Sequence, residues 1–328
     1  MIMMYSFKEL LLITLAAIVV DAWIGDPRRF PHPVVGIGWF IQQLERRLRR
    51  SGAGPRSLRW RGVCLTFMTL SFSFSMMWLI VWVASSWHIW LGYGVSVWFV
   101  ATTIAGKGLR DAAYAVYEPL MRGDLAEARV KVGWIVGRDT AHLDESEVAR
   151  AAVETVAENT VDAFVSPVLF ALIGGAPFAM MYRAANTLDS MVGYKNNKYR
   201  DFGWASARFD DVLNWIPARL TGYMLSLCAL TIGGTQAARS AWRSIHTFAH
   251  LHPSPNSGIP ESAIAGALGI ELGGRNLYGG VVSERARMGW ARRPIEAAHI
   301  LASVRYLALL RFWMVGGIGC LALVGWTV

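Results

Sequence analysis

Three carboxylates, Glu154, Glu158 and Asp162, stand at i, i+4 and i+8 in the stretch "ETVAENTVDAFVSP". On a helix that spacing places all three on one face. Like charges one turn apart destabilise a helix by about 0.2–0.5 kcal/mol per pair, so a stack of three asks for a compensating cation. Mg²⁺ suits the role, because it is held by one or two carboxylates together with waters and phosphate oxygens. Asn159 and Asp162 would extend the shell around Glu158. A plainer compensation is also present: Arg150 lies one turn before Glu154 and would neutralise a solvated face.

A second cluster, "YRAANTLDSMVGYKNNKYRDFGWASARFDD", holds Asn186, Asp189, Lys195, Asn196, Lys198, Arg200, Asp201, Arg208, Asp210 and Asp211. Lysines and arginines grip phosphate oxygens, and aspartates neutralise them through a metal. The alternative is a structural network of ion pairs. The third stretch, "HPSPNSGIPESAIAGALGIELGG", starts at His252. Its prolines and Gly258 make a turn-rich loop, with a helix beginning near Ser262. Asn256, Ser257 and the first N–H groups of that helix would bind an anion. His252 is a candidate general base, or simply a capping residue. The fourth stretch, "GDPRRFPHPVVGIG", places Asp26, Arg28 and His32 just before a helix opened by Gly36 and Gly38. Taken singly, each of these has an ordinary turn explanation. There is no GxxxxGK[ST] loop.

These residues must be positioned by apolar segments. The chain is 54% hydrophobic and 17% charged, with a mean hydropathy of +0.35. Soluble domains carry about 25% charged residues. Apolar runs fall at about 10–25, 62–84, 87–106, 165–182, 212–233 and 306–326, each near the ~20 residues that cross ~30 Å of hydrocarbon. The expected fold is therefore all-α: one polytopic membrane domain over 1–328, with about 4–6 membrane-embedded segments and helical cytoplasmic loops. Seven arginines between Arg46 and Arg61 place that loop in the cytoplasm and the N-terminus outside. Runs 62–84 and 87–106 form a hairpin, so 107–164 is cytoplasmic too. Run 165–182 is interrupted by "GGAP" and is either a kinked crossing or a re-entrant segment. The side of loops 183–211 and 234–305 depends on which it is.

The net charge of +9 fits cytoplasmic loops of a membrane protein, and no nucleic-acid-binding motif accompanies it. Cys64, Cys228 and Cys320 sit separately in apolar runs, without metal spacing, and predict no disulfide. Fifteen tryptophans suit interfacial belts. Trp204 and Trp215 mark one such boundary, a candidate surface for a large planar ligand or plain interfacial anchoring.

Taken together, in order and over nearly the whole chain, the four stretches resemble the CobD/CbiB family of cobalamin biosynthesis, the adenosylcobinamide-phosphate synthases. The resemblance implies a multi-pass enzyme of the cell inner membrane. It would join the free propionate of adenosylcobyric acid to the amine of (R)-1-aminopropan-2-ol, or its O-phosphate, with ATP as co-substrate and Mg²⁺. The partners expected are these substrates and the lipid bilayer, with no nucleic acid. A homo-oligomer, or a complex with other cobalamin-assembly membrane enzymes, is compatible with it. Carboxylate activation through an acyl phosphate would assign Glu154, Glu158, Asp162 and Asp189 to metal. It would assign Lys195, Lys198, Arg200 and Arg208 to phosphates, and Asp210 or Asp211 to the proton of the ammonium. Asn186, His252, Asn256, Ser257 and His32 would complete substrate binding. An AmpE-like membrane sensor and a corrinoid transporter are the competing classes. The continuation of "NTLDSMVGYKN" through "FDD" argues against the first, and the scarcity of charge inside the apolar runs against the second.

Overall fold

The computed structural model describes residues 4–25, 32–49, 52–194 and 196–324. Asp26, Arg28 and Lys195 lie outside the described residues. The described residues form twelve helices and one β-hairpin. In chain order these are α1 (Phe7–Trp23), α2 (Pro33–Leu48), α3 (Pro55–Trp87), α4 (Ile89–Ala101), α5 (Gly106–Met121), α6 (Leu125–Gly133) and α7 (Glu145–Thr160). A π-helical turn (Val161–Val165) leads into α8 (Ser166–Val192), α9 (Trp204–Leu213), α10 (Trp215–Phe248), α11 (Gly258–Leu268), β1 (Leu272–Tyr278), β2 (Val281–Met288) and α12 (Ala298–Val324). Five helical stretches are long and apolar enough to cross a membrane: Pro55–Trp87, Ile89–Met121, Glu145–Val192, Trp215–Leu251 and Ala298–Val324. The protein is an all-α multi-pass membrane protein, as its composition predicts. The first apolar run forms α1, whose 17 residues make it shorter than these five.

The single domain expected from sequence is internally divided into two compact units, each assembled from separated stretches. One comprises Met1–Ala105, Ser166–Asn214 and Val315–Val328; the other comprises Gly106–Val165 and Trp215–Met314.

The first unit is held by α3 and α8. Their rings meet edge to face at Phe74 and Phe178, with centroids 5.3 Å apart. Outward-facing Phe67, Phe72, Met76, Leu79 and Trp82 stay exposed along α3, as a lipid-facing side requires. Exposed tryptophans mark both ends of α3, Trp60 at one and Trp87 with Trp90 at the other. Twenty-seven residues separate Trp60 from Trp87, about 40 Å of helix, and a bilayer with its headgroups is about 40–45 Å thick.

The "GGAP" interruption is a hairpin turn. Gly174 and Gly175 leave helical geometry, and Gly175 takes φ +68° and ψ −151°, a conformation reserved for glycine. Beyond it the chain doubles back. Phe170 stacks on Tyr182 at 5.0 Å, although twelve residues of straight helix would hold them about 18 Å apart. Asn214 receives hydrogen bonds from both Ser166 Oγ (2.6 Å) and Tyr182 Oη (2.9 Å), which joins the two arms at one point. The 165–182 run thus reverses at Gly174–Gly175, as the re-entrant alternative requires. The loop that follows is tied to the arginine-rich loop by Arg59–Asp201 (2.9 Å) and Lys198–Glu45 (3.6 Å). Loop 193–203 therefore shares a face with loop 46–61.

The second unit contains a similar device. Gly234, at φ +74°, breaks α10, and Tyr223 stacks on Trp242 across the fold at 5.0 Å. α11 packs against this hairpin. Its Gly266 lies so close to the second arm that a Cβ there would stand 2.5 Å from Ser244 Cβ. β1 and β2 form an antiparallel pair that an all-α expectation misses. Their turn, Gly279–Gly280, donates both N–H groups to the Asp139 carboxylate at 3.1 and 2.7 Å. α7 starts on a reciprocal capping box between Asp144 and Glu147, a device worth about 1 kcal/mol.

Candidate functional site

α7 carries Glu154 and Glu158 one turn apart, as the spacing predicts. The register then breaks. Residues 161–165, Asp162 among them, are π-helical, closing i to i+5.

Glu154 is buried, and both its oxygens are occupied. Arg138 Nη2 donates to Oε2 at 2.5 Å, Arg150 Nη1 to Oε1 at 3.1 Å and Gly273 N–H to Oε1 at 2.8 Å. The same two arginines hold the hairpin. Both donate to Asn276 Oδ1, and Arg150 also donates to the carbonyls of Gly273 and Arg275. Arg150, the plainer compensation in the sequence, is in place; Arg138 joins it from a loop 16 residues upstream. Two guanidiniums on one carboxylate leave this buried group of charges net positive.

Glu158 faces α11. It accepts from Ser257 Oγ at 2.8 Å. Ser257 is the residue before α11, yet its hydroxyl does not cap the helix. The helix begins at Gly258, four residues before the expected Ser262. His252 turns its Nδ1 back to the Ser254 N–H, 3.0 Å away. Its Nε2 stands 3.7 Å from Glu261 Oε1, and neither of those two atoms has a hydrogen-bond partner. Burial pushes the Glu261 carboxyl well above the usual range, helped by the negative charges of Glu158 and Glu154. Burial also pushes the His252 imidazole below its ordinary value, against the pull of Glu158. Both shifts favour the neutral form of each group. Asn256 is buried and accepts from Arg219 at 3.4 Å. Arg285 of β2 approaches the cluster and donates to Tyr278 Oη at 2.8 Å.

Most of the remaining candidates lie in the first unit and make local contacts. Lys198 and Arg49 both reach Glu45, which also accepts from Tyr199 Oη at 3.0 Å. Arg200 approaches Asp201 at 3.8 Å, and Arg208 pairs with Asp211 at 3.7 Å. Asp210 accepts from Asn214 at 3.0 Å. Asn186 accepts from Arg183 at 3.1 Å. Asp189 fills the space over Gly193, where a Cβ would stand 1.9 Å from its Oδ1. Gly193 has no positive φ, so it serves this close approach rather than a left-handed turn. His32 caps α2 through Nδ1, accepting from Val34 N–H at 3.2 Å. Trp204 and Trp215 are exposed, each under an arginine, Arg59 and Arg219 respectively.

Of the carboxylates assigned to Mg²⁺, Glu154 has both oxygens taken by arginines and the Gly273 N–H. Among the described residues no three His, Cys, Asp or Glu side chains gather closely enough to hold an ion.

Each unit thus unites two motifs distant in sequence. Glu158 meets Ser257 across 99 residues, and Glu45, just beyond the "HPVVGIG" stretch, meets Lys198 and Tyr199 across about 150. A family model described as CobD/Cbib protein matches residues 14–307, which covers all four. The chain belongs to the CobD/CbiB family. It is 48% identical over 292 residues to the cobalamin biosynthesis protein CobD of Halalkalibacterium halodurans, covering 88% of this chain and 89% of that one. It is 45% identical to the CobD of Klebsiella pneumoniae, with coverage of 91% and 96%. It is 44% identical to the cobalamin biosynthesis protein CbiB of Salmonella typhimurium, with coverage of 88% and 90%. No solved structure matches this CobD/CbiB chain. Arg138, Asn276, Glu261 and Arg285 were not singled out in the sequence. The hairpin that brings two of them was signalled by "NLYGGVVS", two apolar runs around Gly-Gly.

Proposed function

We propose that this protein is an adenosylcobinamide-phosphate synthase of the cell inner membrane. It would amidate adenosylcobyric acid with (R)-1-aminopropan-2-ol or its O-phosphate, using ATP supplied with Mg²⁺ as co-substrate. Membership of the CobD/CbiB family carries a role in cobalamin biosynthesis. The observation that most supports a catalytic reading is the Glu158–Ser257 hydrogen bond, because it brings two chemically loaded motifs into one polar, largely buried cluster.

The chemistry needs an activated carboxyl group. In the proposed course, the substrate carboxylate oxygen attacks the γ-phosphorus of ATP, the bond to the bridging oxygen breaks, and ADP leaves. The amine then attacks the acyl phosphate, the C–O bond breaks, and phosphate departs as the amide forms. Cationic groups stabilise the charge that develops on phosphate. Arg138, Arg150 and Arg285 supply that field beside Glu158 and Ser257, and Lys198, Arg200 and Arg208 supply a second basic surface. The attacking ammonium must first lose a proton. His252 suits this step, since burial keeps its imidazole neutral and therefore able to accept one. Asp210 and Asp211 already have local partners, Asn214 and Arg208. Protein donors arranged around arginine rather than around a metal cluster fit an ion that arrives with the nucleotide.

The test is an assay on purified protein in detergent. Adenosylcobyric acid is supplied with either amine, with and without ATP and Mg²⁺, and the corrinoid is followed by mass. An ATP-dependent amide product is expected. Absence of product with both amines, from folded protein, would overturn the assignment.

A further inference from the structure

The second unit contains a cavity of about 590 Å³ that includes none of the candidate site residues. Its wall is built from α10 beside its break, at Gly233, the C-terminal end of α11, the Arg292–Arg293 segment and the start of α12. Arg292, Arg293 and Arg305 line it, with His299 and Gln236, and no described Asp or Glu does. None of the three arginines forms an ion pair with a described carboxylate. Ser240 Oγ, on the same wall, is buried without a hydrogen-bond partner.

Cations near the end of a helix have an ordinary explanation, since they complement its negative C-terminal dipole. That accounts for the placement of Arg292 and Arg293, whose backbone N–H groups both donate to the carbonyl of Gly269, the C-cap of α11, at 3.1 and 3.2 Å. It does not account for Arg305, which comes from α12 and faces the same space. The three arginines are exposed, so solvent screens their mutual repulsion, but with no described carboxylate in the lining the cavity is a field of one sign that attracts an anion. We propose that this cavity binds a phosphate ester. Guanidinium forks match phosphate oxygens, the serine hydroxyl offers a further donor, and the volume falls within the range of small-molecule sites. It is far more than a bare phosphate fills, so the ligand carries an organic body. Two sources share this chemistry: a soluble nucleotide-like ester, and the headgroup of a phospholipid. Arg305 immediately precedes the apolar stretch of α12, so either can reach it.

The site stands apart from amide formation, and its test uses no corrinoid. Full-length protein in nanodiscs of zwitterionic lipid is titrated with ATP by calorimetry. In a second arm, nanodiscs containing phosphatidylglycerol are analysed by native mass spectrometry for retained lipid. Arg293→Gln and Arg305→Gln are compared with wild type in both arms, and Arg305→Lys serves as a charge-conserving control for folding. The expected result is binding in one arm that weakens roughly tenfold or more in each Gln variant, is partly kept by Arg305→Lys, and falls with added salt. Dependence in the ATP arm identifies a soluble ester; dependence in the lipid arm identifies a headgroup. Binding in neither arm, or binding indifferent to both Gln substitutions, overturns the proposal.

Discussion

Arg138 and Glu154 meet at 2.5 Å with side chains only 6% and 8% exposed, and Arg150 closes on the same carboxylate from the preceding turn of α7. The geometry is that of a structural keystone: one anion holds two cations, and the two cations hold the β-hairpin.

Removing the anion leaves two buried guanidiniums without their counter-charge. Breaking a buried pair in this way costs about 3–5 kcal/mol. Glu154→Gln is therefore expected to unfold or fail to accumulate, as read by thermal unfolding of the detergent-purified protein. Glu158→Gln should behave differently. Its residue is only half-buried and has one side-chain partner, so the protein should melt within about 1 kcal/mol of wild type. Its amide-forming activity should fall by more than about tenfold. Equal melting of the two variants would mean that the two glutamates do not divide structure and chemistry in this way.

The re-entrant hairpin at Gly174–Gly175 makes a topological prediction. Once Cys64, Cys228 and Cys320 are replaced, single cysteines at Ser57, Asn197 and Ser86, all exposed, can be labelled from either side of sealed vesicles. Ser57→Cys and Asn197→Cys should react from the same side, and Ser86→Cys from the other. If 57 and 197 react from opposite sides, the 165–182 run crosses the membrane and the Phe170–Tyr182 stack is wrong.

How far the sequence reveals this arrangement follows from which forces are local. The apolar runs, the arginine-rich loop and the α7 capping box are legible because hydropathy, charge asymmetry and capping act within a few residues. The break at Gly174–Gly175 is visible as "GGAP", but whether it bends the helix or reverses it depends on Asn214 joining Ser166 to Tyr182. The π turn at Val161–Val165 is not legible, because nothing in "VDAFV" announces a closure from i to i+5. Arg150 was readable as a partner for Glu154 at i−4, whereas Arg138 was not, because its reach is set by a loop clamped to the Gly279–Gly280 turn through Asp139. Glu261 sits in an apolar run and looks misplaced until its neighbours are seen to be buried with it.

Glu261 and His252 have opposite effects on stability. The folded Glu261 carboxyl titrates above its unfolded value. Between the two values the unfolded chain has lost a proton that the folded chain keeps, so stability falls as pH rises through that window. The folded imidazole titrates below its unfolded value, so there the unfolded chain binds the extra proton and stability rises with pH up to about 6.5. Glu261→Gln should remove the first effect only. Thermal unfolding followed from about pH 5 to about pH 8 should then show a curve whose decline above the ordinary carboxyl range is flattened while the rise due to His252 remains. A variant profile superimposable on wild type would show that Glu261 is not held neutral.

His252 can be separated from a mere packing role by its pH signature. As the proton acceptor it must be neutral to work, and its lowered titration point means that it stays neutral into mildly acidic solution. The rate of amide formation should therefore hold up below the ordinary histidine range and drop only where the buried imidazole charges. His252→Gln can still accept through its side-chain oxygen from the Ser254 N–H, as Nδ1 does now, so the loop should persist. The variant should nevertheless lose about 10²–10⁴-fold in rate, the usual contribution of a positioned base. A higher pH should restore part of that loss, because more of the amine is then free of its proton without help. A variant that keeps the wild-type rate, or that loses rate equally at every pH, would reduce His252 to a residue that shapes the loop before α11.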